Sequence, residues 1–313
     1  VRIARAEVSR EALVLKIIVL GGYGVFGAKL VDLLTRDGHA LIVAGRSLEK
    51  ATALAAQFGA TPLAVDRARD LTPLWAANPD AVVDAAGPFH AYGDDPYAFA
   101  RACIAQGVHY LDLADDADFC AGIGVLDSAA QTAGVVVRSG VSSVPALSST
   151  IVADLAQGAD EIDTITIAIV PGNKTPRGKA VVDSILHQAG TDMSVTVDGE
   201  TQKLRSWSDR RRFDLGDGID RPAYQIRVPD PLLFPAFFDA RTVEFYAGLE
   251  LEIISRSLAV WSRLRYALGL GNPAWFRAMT HWFASRLVRF GSDAGGMQID
   301  VVARHGPMWK RHR

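Results

Sequence analysis

An apolar run at residues 15–20 (LKIIVL) stops abruptly at glycines: Gly21, Gly22, Gly24 and Gly27. The next stretch, 25–36, carries Phe26, Leu30, Val31, Leu33 and Leu34 at a spacing that can form a broad apolar helix face. A strand that turns through Gly-x-Gly-x-x-Gly into a helix opens a parallel α/β unit and constrains everything after it. Gly22 makes the tight turn, Gly24 lets backbone approach a pyrophosphate, and Gly27 permits close helix–sheet packing. The anion rests on the free amides at the helix N-terminus. Gly22, Tyr23, Gly24, Val25, Phe26 and Gly27 are therefore candidate contacts to a dinucleotide. A Walker A loop is excluded, because Lys29 is misplaced and no Gly-Lys-Ser/Thr follows.

The alternation continues. Strands are expected at 40–44, 62–65, 81–83, 109–113 and 135–137, with helices at 48–58, 95–105 and 119–132. Repetition of this kind implies a parallel sheet covered by helices on both faces, a Rossmann-like domain over 14–140. The 313 residues exceed what one core usually holds. A second α+β domain with a mixed sheet is expected over 141–313. There, 145–156 reads as a helix that Ser142 or Ser143 caps or precedes. Residues 162–170 alternate as a half-buried, antiparallel strand, and 179–188 reads as helical. Asp198-Gly199 marks a hairpin between 193–197 and 201–205. Residues 208–221, rich in glycine, aspartate and arginine, read as a loop, and 242–246 as a strand. Segment 229–290 is rich in tryptophan, phenylalanine, leucine and arginine, with helices expected near 258–268 and 273–288. Core or a subunit interface is its first reading, a tunnel wall for an apolar substrate the second, and interfacial membrane contact the third.

At the end of the second strand, where an acidic residue would bind a ribose 2′-hydroxyl, the chain has Ala44-Gly45-Arg46-Ser47. Arg46 offers a forked cation suited to a 2′-phosphate and Ser47 a hydroxyl, so NADP is preferred over NAD. Asp66, ending the third strand, can accept from the adenine amino group. Ala86, Gly87, Pro88 and Phe89 follow the fourth strand, where a nicotinamide would lie. Beyond the fifth strand stand the candidates for proton transfer or substrate orientation: Tyr110, Asp112 and Asp115. His109 reads as a packed histidine. Ser142 and Ser143 are candidate substrate contacts, and Asn173, Lys174 and Arg177 candidate carboxylate or phosphate ligands. Arg210, Arg211 and Arg212 read as a solvated charge run.

These stretches resemble the saccharopine dehydrogenase-like oxidoreductases, in particular a poorly characterised bacterial branch. The resemblance rests on GGYGVFG, VAGRS, AAGPF, GVHYLDLADD and SGVSSVPALSS, and further on PGNKTPRG, PDPLLFP and FGSDAGGM. It implies an N-terminal Rossmann domain and a C-terminal α/β substrate domain, with a nicotinamide cofactor lined by Gly22, Gly24, Gly27, Arg46, Gly87, Pro88 and Phe89. The expected activity is NADP-dependent hydride transfer to or from an imine, amino-acid-like, enoyl or carbonyl compound. A cofactor-binding regulatory or scaffold protein without turnover is the alternative.

Other chemistries lack carriers. Seven histidines form no H-E-x-x-H or other tight metal arrangement, and no G-x-S-x-G elbow occurs. No metal is expected. Cys103 and Cys120, the only cysteines, exclude a disulfide-stapled scaffold and read as buried thiols. A formal charge of -2 argues against a broadly basic nucleic-acid face. No run reaches the ~18 apolar residues of a membrane span, and residues 1–16 make a poor signal peptide. A cytoplasmic protein acting on a small-molecule substrate, with a possible homodimer, is the resulting expectation. The basic end, 310–313, reads as a frayed or truncated terminus without a partner.

Overall fold

Ile17, Ile18, Val19 and Leu20 are all buried, so the first strand is covered on both faces, as parallel strands require. The computed structural model describes residues 14–313; the leader reading of 1–16 lies almost wholly outside them. The chain then alternates as β1 (Lys16–Leu20), α1 (Val25–Arg36), β2 (Ala40–Gly45), α2 (Leu48–Phe58), β3 (Thr61–Ala64), α3 (Thr72–Ala76), β4 (Ala81–Asp84), α4 (Ala98–Ala105), β5 (His109–Asp112), α5 (Ala117–Gly122), α6 (Asp127–Ala133) and β6 (Val137–Arg138). The strands form a six-stranded parallel sheet in the order β3-β2-β1-β4-β5-β6, the doubly wound Rossmann arrangement. The order reverses between β1 and β4, so the loops after these two strands form the switch point where such sheets bind ligands. The apolar face of α1 is narrower than its spacing suggests. Gly27 and Val31 are buried, while Phe26 and Leu33 lie exposed.

A second sheet has eight strands. Its elements are α7 (Ser148–Leu155), β7 (Glu161–Val170), α8 (Lys179–Gln188), β8 (Asp192–Val197), β9 (Glu200–Arg205), β10 (Ser208–Asp214), β11 (Asp220–Gln225), α9 (Pro229–Phe238), β12 (Ala240–Ala247), α10 (Glu252–Leu268), α11 (Ala274–Leu287), β13 (Gly296–His305) and β14 (Met308–His312). The order is β10-β11-β12-β7-β13-β14, with β8 on β12 and β9 on β8. β7 pairs antiparallel with β13, as its alternation suggests, but parallel with β12, which makes the sheet mixed. Ile165 and Ile167 are fully buried in the main cluster with Val243, Phe245 and Val301. Ala168 and Val170 are buried with Phe213 and Tyr246 in another. This strand is therefore covered on both sides over its second half.

Three expectations are corrected. Residues 208–221 are not a loop but most of the β10–β11 hairpin. Arg210, Arg211 and Arg212 are exposed, as a solvated charge run is, and they pair with acids: Arg210 with Glu252, Arg211 with Glu244 and Asp209, Arg212 with Asp220. Helix 145–156 begins later, at Ser148, after a wide turn over Ser143–Leu147. The basic terminus has a partner, since Arg311 and Arg313 pair with buried Asp300.

The chain packs into two compact units, each built from discontinuous stretches. The first holds the described residues up to Ala86 together with Phe99–Leu111 and Ala129–Val137. The second holds Gly87–Ala98, Asp112–Ser128 and Arg138–Arg313. Cys103 and Cys120 are free and buried, and burial pushes both thiols far up.

Candidate functional site

In the first unit the glycine turn is built by contact. A methyl added to Gly27 would lie 2.3 Å from the Gly21 carbonyl oxygen, and one on Gly22 2.8 Å from that of Val19. Gly21 has φ +75, a conformation that side chains resist, and a methyl there would meet Ala86 Cα at 2.8 Å. The loops after β1 and β4 thus touch at the switch point. Gly24 is exposed and precedes α1 in extended conformation, with no side chain capping the helix and no acidic residue in its first turn. The amides of that turn are open to an anion.

Tyr23 stands over the end of β2. Its ring packs on Gly45, where a methyl would come within 2.6 Å, and its hydroxyl accepts from the Ser47 amide at 3.1 Å. Ser47 caps α2, accepting from the Lys50 amide at 3.3 Å. Arg46 is exposed and makes no ion pair among the described residues. Asp66 accepts from the Ala68 amide and faces Arg69 at 3.7 Å, so its carboxylate organises its own loop. Sequence reasoning missed Asp84 at the end of β4. It is fully buried and holds the Ala86 amide and the Arg67 guanidinium. Tyr110 is buried edge-on against Phe99, a packing position. His109, half-buried, accepts from the Val136 amide at its Nδ1. The open helix start and the exposed guanidinium fit a phosphorylated dinucleotide.

In the second unit, Gly87 and Pro88 lead into Phe89, which is buried against Tyr92 and Phe119. His90 follows, and its ring stacks on that of His187 from α8, centroids 4.0 Å apart and planes 7° from parallel. Its Nδ1 is buried with no hydrogen-bond partner among the described residues. Burial holds both imidazoles below their ordinary range, and for His187 the neighbouring His90 adds to the effect. One turn before His187, Ser184 donates to Asp115 at 3.3 Å, and burial pushes that carboxyl up. Asp183 on the same helix meets His281 at 2.9 Å. Asp115 was expected from sequence. His90, His187 and Ser184 were not, because only folding brings the loop after Pro88 onto α8.

The remaining candidates have structural work. Asp112 is fully buried, and one of its oxygens accepts from the Ala114 amide, the Ser139 hydroxyl and the Gly140 amide. Ser142 does not cap a helix; its hydroxyl bonds the Val144 carbonyl, and Ser143 is exposed beside it. The Asn173 side chain donates through Nδ2 to the Leu287 and Phe290 carbonyls, and Arg177 donates to the Gly172 carbonyl and to Asn173 Oδ1. Both tie down their loop. Of that trio only Lys174 is exposed. Ser148 donates to Asp230 at 2.5 Å, and burial raises this carboxyl to about 7. Among the described residues no group of three or more histidine, cysteine or acidic side chains could hold a metal, and no helix is long and apolar enough to cross a membrane.

Residues 17–138 match the family model of the saccharopine dehydrogenase NADP binding domain. No curated protein matches the chain. Among solved structures, apo saccharopine dehydrogenase (L-Glu forming) from Saccharomyces cerevisiae superposes with a TM-score of 0.56 at 16% identity, over 74% of this chain and 54% of that one. The chain thus spans about half the length of the yeast enzyme. GenD2 from gentamicin A biosynthesis, solved in complex with NAD, gives a TM-score of 0.46 at 15% identity, over 96% and 72%. UDP-N-acetylglucosamine 3-dehydrogenase GnnA from Acidithiobacillus ferrooxidans gives 0.39 at 16%, over 75% and 67%. At such identities the likeness concerns the fold. What the comparisons support is a saccharopine dehydrogenase-like NADP-binding domain over residues 17–138.

Proposed function

We propose that the chain is an NADP-dependent oxidoreductase acting on a carbonyl, imine or enoyl carbon. The observation that carries this reading is the pairing of an uncapped glycine turn at α1 with an exposed Arg46 at the end of β2 that has no ion pair among the described residues. NADP, when bound, supplies the carbon that gives or takes a hydride. The α1 amides hold the pyrophosphate, and Arg46 recognises the 2′-phosphate by charge-assisted bonds. His90 and Asp115 come shortly after β4 and β5 in the chain. We assign proton transfer to the His90–His187 pair, with Asp115, which accepts from Ser184 on the helix of His187, as the nearby carboxyl. Lowering of both imidazoles keeps them neutral at physiological pH, the state in which a ring nitrogen accepts a proton as a general base. The half-buried His pair favours turnover over a scaffold role.

Cofactor titration tests the reading. Arg46→Ala should weaken NADPH binding by about 10–150-fold, the worth of charge-assisted bonds, and leave NADH binding nearly unchanged. Equal losses for both cofactors, or no preference for NADPH in the parent protein, would overturn the assignment.

A further inference from the structure

Residues 253–290 carry Arg256, Arg263, Arg265, Arg277, Arg286 and Arg289 and not one aspartate, glutamate or lysine. The whole chain is slightly acidic at a formal charge of -2, so this segment is a local positive excess on a molecule otherwise of the opposite sign. It forms the helices α10 and α11. On α10 the buried residues Ser255, Leu258 and Ser262 seat one face in the core. Ile253, Val260, Leu264 and Leu268 follow at spacings of seven, four and four, which puts them on the opposite face, and all four are exposed. On α11, Phe276 packs on Trp261 with centroids 4.2 Å apart, while Met279, Trp282 and Phe283 lie exposed, the last two at 54% and 49%. Arg286 lies over the Trp282 ring at 5.3 Å, and Arg289 over Phe290 at 5.1 Å.

Not all six arginines are available. Arg265 donates to three carbonyls around the end of α8, and Arg256 pairs with Glu252. Arg263, Arg277, Arg286 and Arg289 are exposed and make no ion pair with an acidic side chain among the described residues. Exposed apolar side chains interleaved with unpaired arginines, on helices of 17 and 14 residues, fit the plane of a bilayer interface. Rings and aliphatic faces enter the acyl boundary while guanidiniums reach headgroup phosphates. A second copy of the chain fits worse. A two-fold contact sets a patch against itself, so these arginines would face the same segment of the other copy, which holds no acid to pair them.

We propose that the α10–α11 face binds the surface of an anionic phospholipid bilayer. Cosedimentation with vesicles tests it, using phosphatidylcholine alone and an equal mixture of phosphatidylcholine and phosphatidylglycerol. The full chain should pellet with the mixed vesicles, release as salt rises, and bind phosphatidylcholine weakly. The double variant Arg286→Gln/Arg289→Gln should bind about 25-fold less tightly, near fivefold for each arginine at a charged surface. Trp282→Ser should also lose binding, with circular dichroism and NADPH affinity unchanged, since Trp282 is exposed and its loss leaves the core intact. Failure to pellet with the mixed vesicles would overturn the proposal, as would equal, salt-insensitive binding to both compositions. So would a dimer in sedimentation velocity that Trp282→Ser dissociates while vesicles bind neither form, which would give the face to a second copy.

Discussion

His90 and His187 share one small space, and the proton count of the pair follows from that. Their rings are stacked at 4.0 Å, and burial disfavours the charged form of each. A folded-state pKa below the unfolded value means the unfolded chain binds protons more readily. The resulting contribution to stability is fully present above about pH 6.5, the unfolded histidine value, and is lost as pH falls through the lowered folded values. A urea titration at stepped pH should therefore show stability declining below pH 6.5, and His90→Phe/His187→Phe should flatten that decline. Replacing His90 alone by Phe keeps an aromatic neighbour but removes a charge that opposes protonation of His187, so the His187 resonance should titrate higher by NMR. A lower or unchanged titration point would show that the two rings do not interact in solution. At this scale the glycine turn and Arg46 were legible because their chemistry is local and their spacing is fixed. The histidine pair was not, because nothing in either neighbourhood names the other ring.

Among the elements, the hairpins show what local sequence can and cannot say. β8–β9 turns at Asp198 and Gly199, both at positive φ, and this dipeptide announces itself. β10–β11 was hidden because Arg210, Arg211 and Arg212 read as solvent-facing loop until Glu244, Glu252 and Asp220 are brought alongside. Glu250, between β12 and α10, has a similarly non-local part. It accepts from the Asn173 amide, from the Ser292 amide and hydroxyl, and from Arg221, joining the loop after β7 to the chain before β13. Burial alone would raise its pKa, but these donors outweigh it and hold the carboxyl at about 2. With the folded pKa depressed, the stabilisation is present above the unfolded value near 4.5 and vanishes as pH falls toward 2. Glu250→Gln should cost about 1.5–3 kcal/mol at pH 7, the usual worth of hydrogen bonds to a charged group. Denaturation of the two proteins should converge between pH 4.5 and 2. A gap that persists unchanged at low pH would mean the side chain acts by shape rather than charge.

For the whole molecule, the βα alternation made the first sheet and the existence of a second, mixed one readable, since periodicity and strand connections are set locally. A single cut near residue 140 was the natural reading of that alternation. Packing instead groups Gly87–Ala98 and Asp112–Ser128 with Arg138–Arg313. Specific side chains carry this grouping. Phe119 of α5 packs against Phe89, Tyr92 and Tyr97 of the loop after β4. Asp118 pairs with Arg227, Asp115 bonds Ser184, and His90 lies on His187. Each of these interactions runs between the two excursions or from an excursion into the larger body, and none is visible from order along the chain. If they govern local stability, the excursions should open with the second unit. Native-state hydrogen exchange in rising denaturant measures this directly. Amides of α5 should exchange at the denaturant concentration that opens β7 and β12, whatever concentration opens β1 and β2. Phe119→Ala removes a ring that touches three others. It should cost about 3–5 kcal/mol, the range for a buried aromatic truncated to alanine. It should also speed exchange in α5 and α8 while sparing β1, β2 and β3. Exchange of α5 in step with β1, and a Phe119→Ala effect confined to the first sheet, would place the boundary at the linear cut instead.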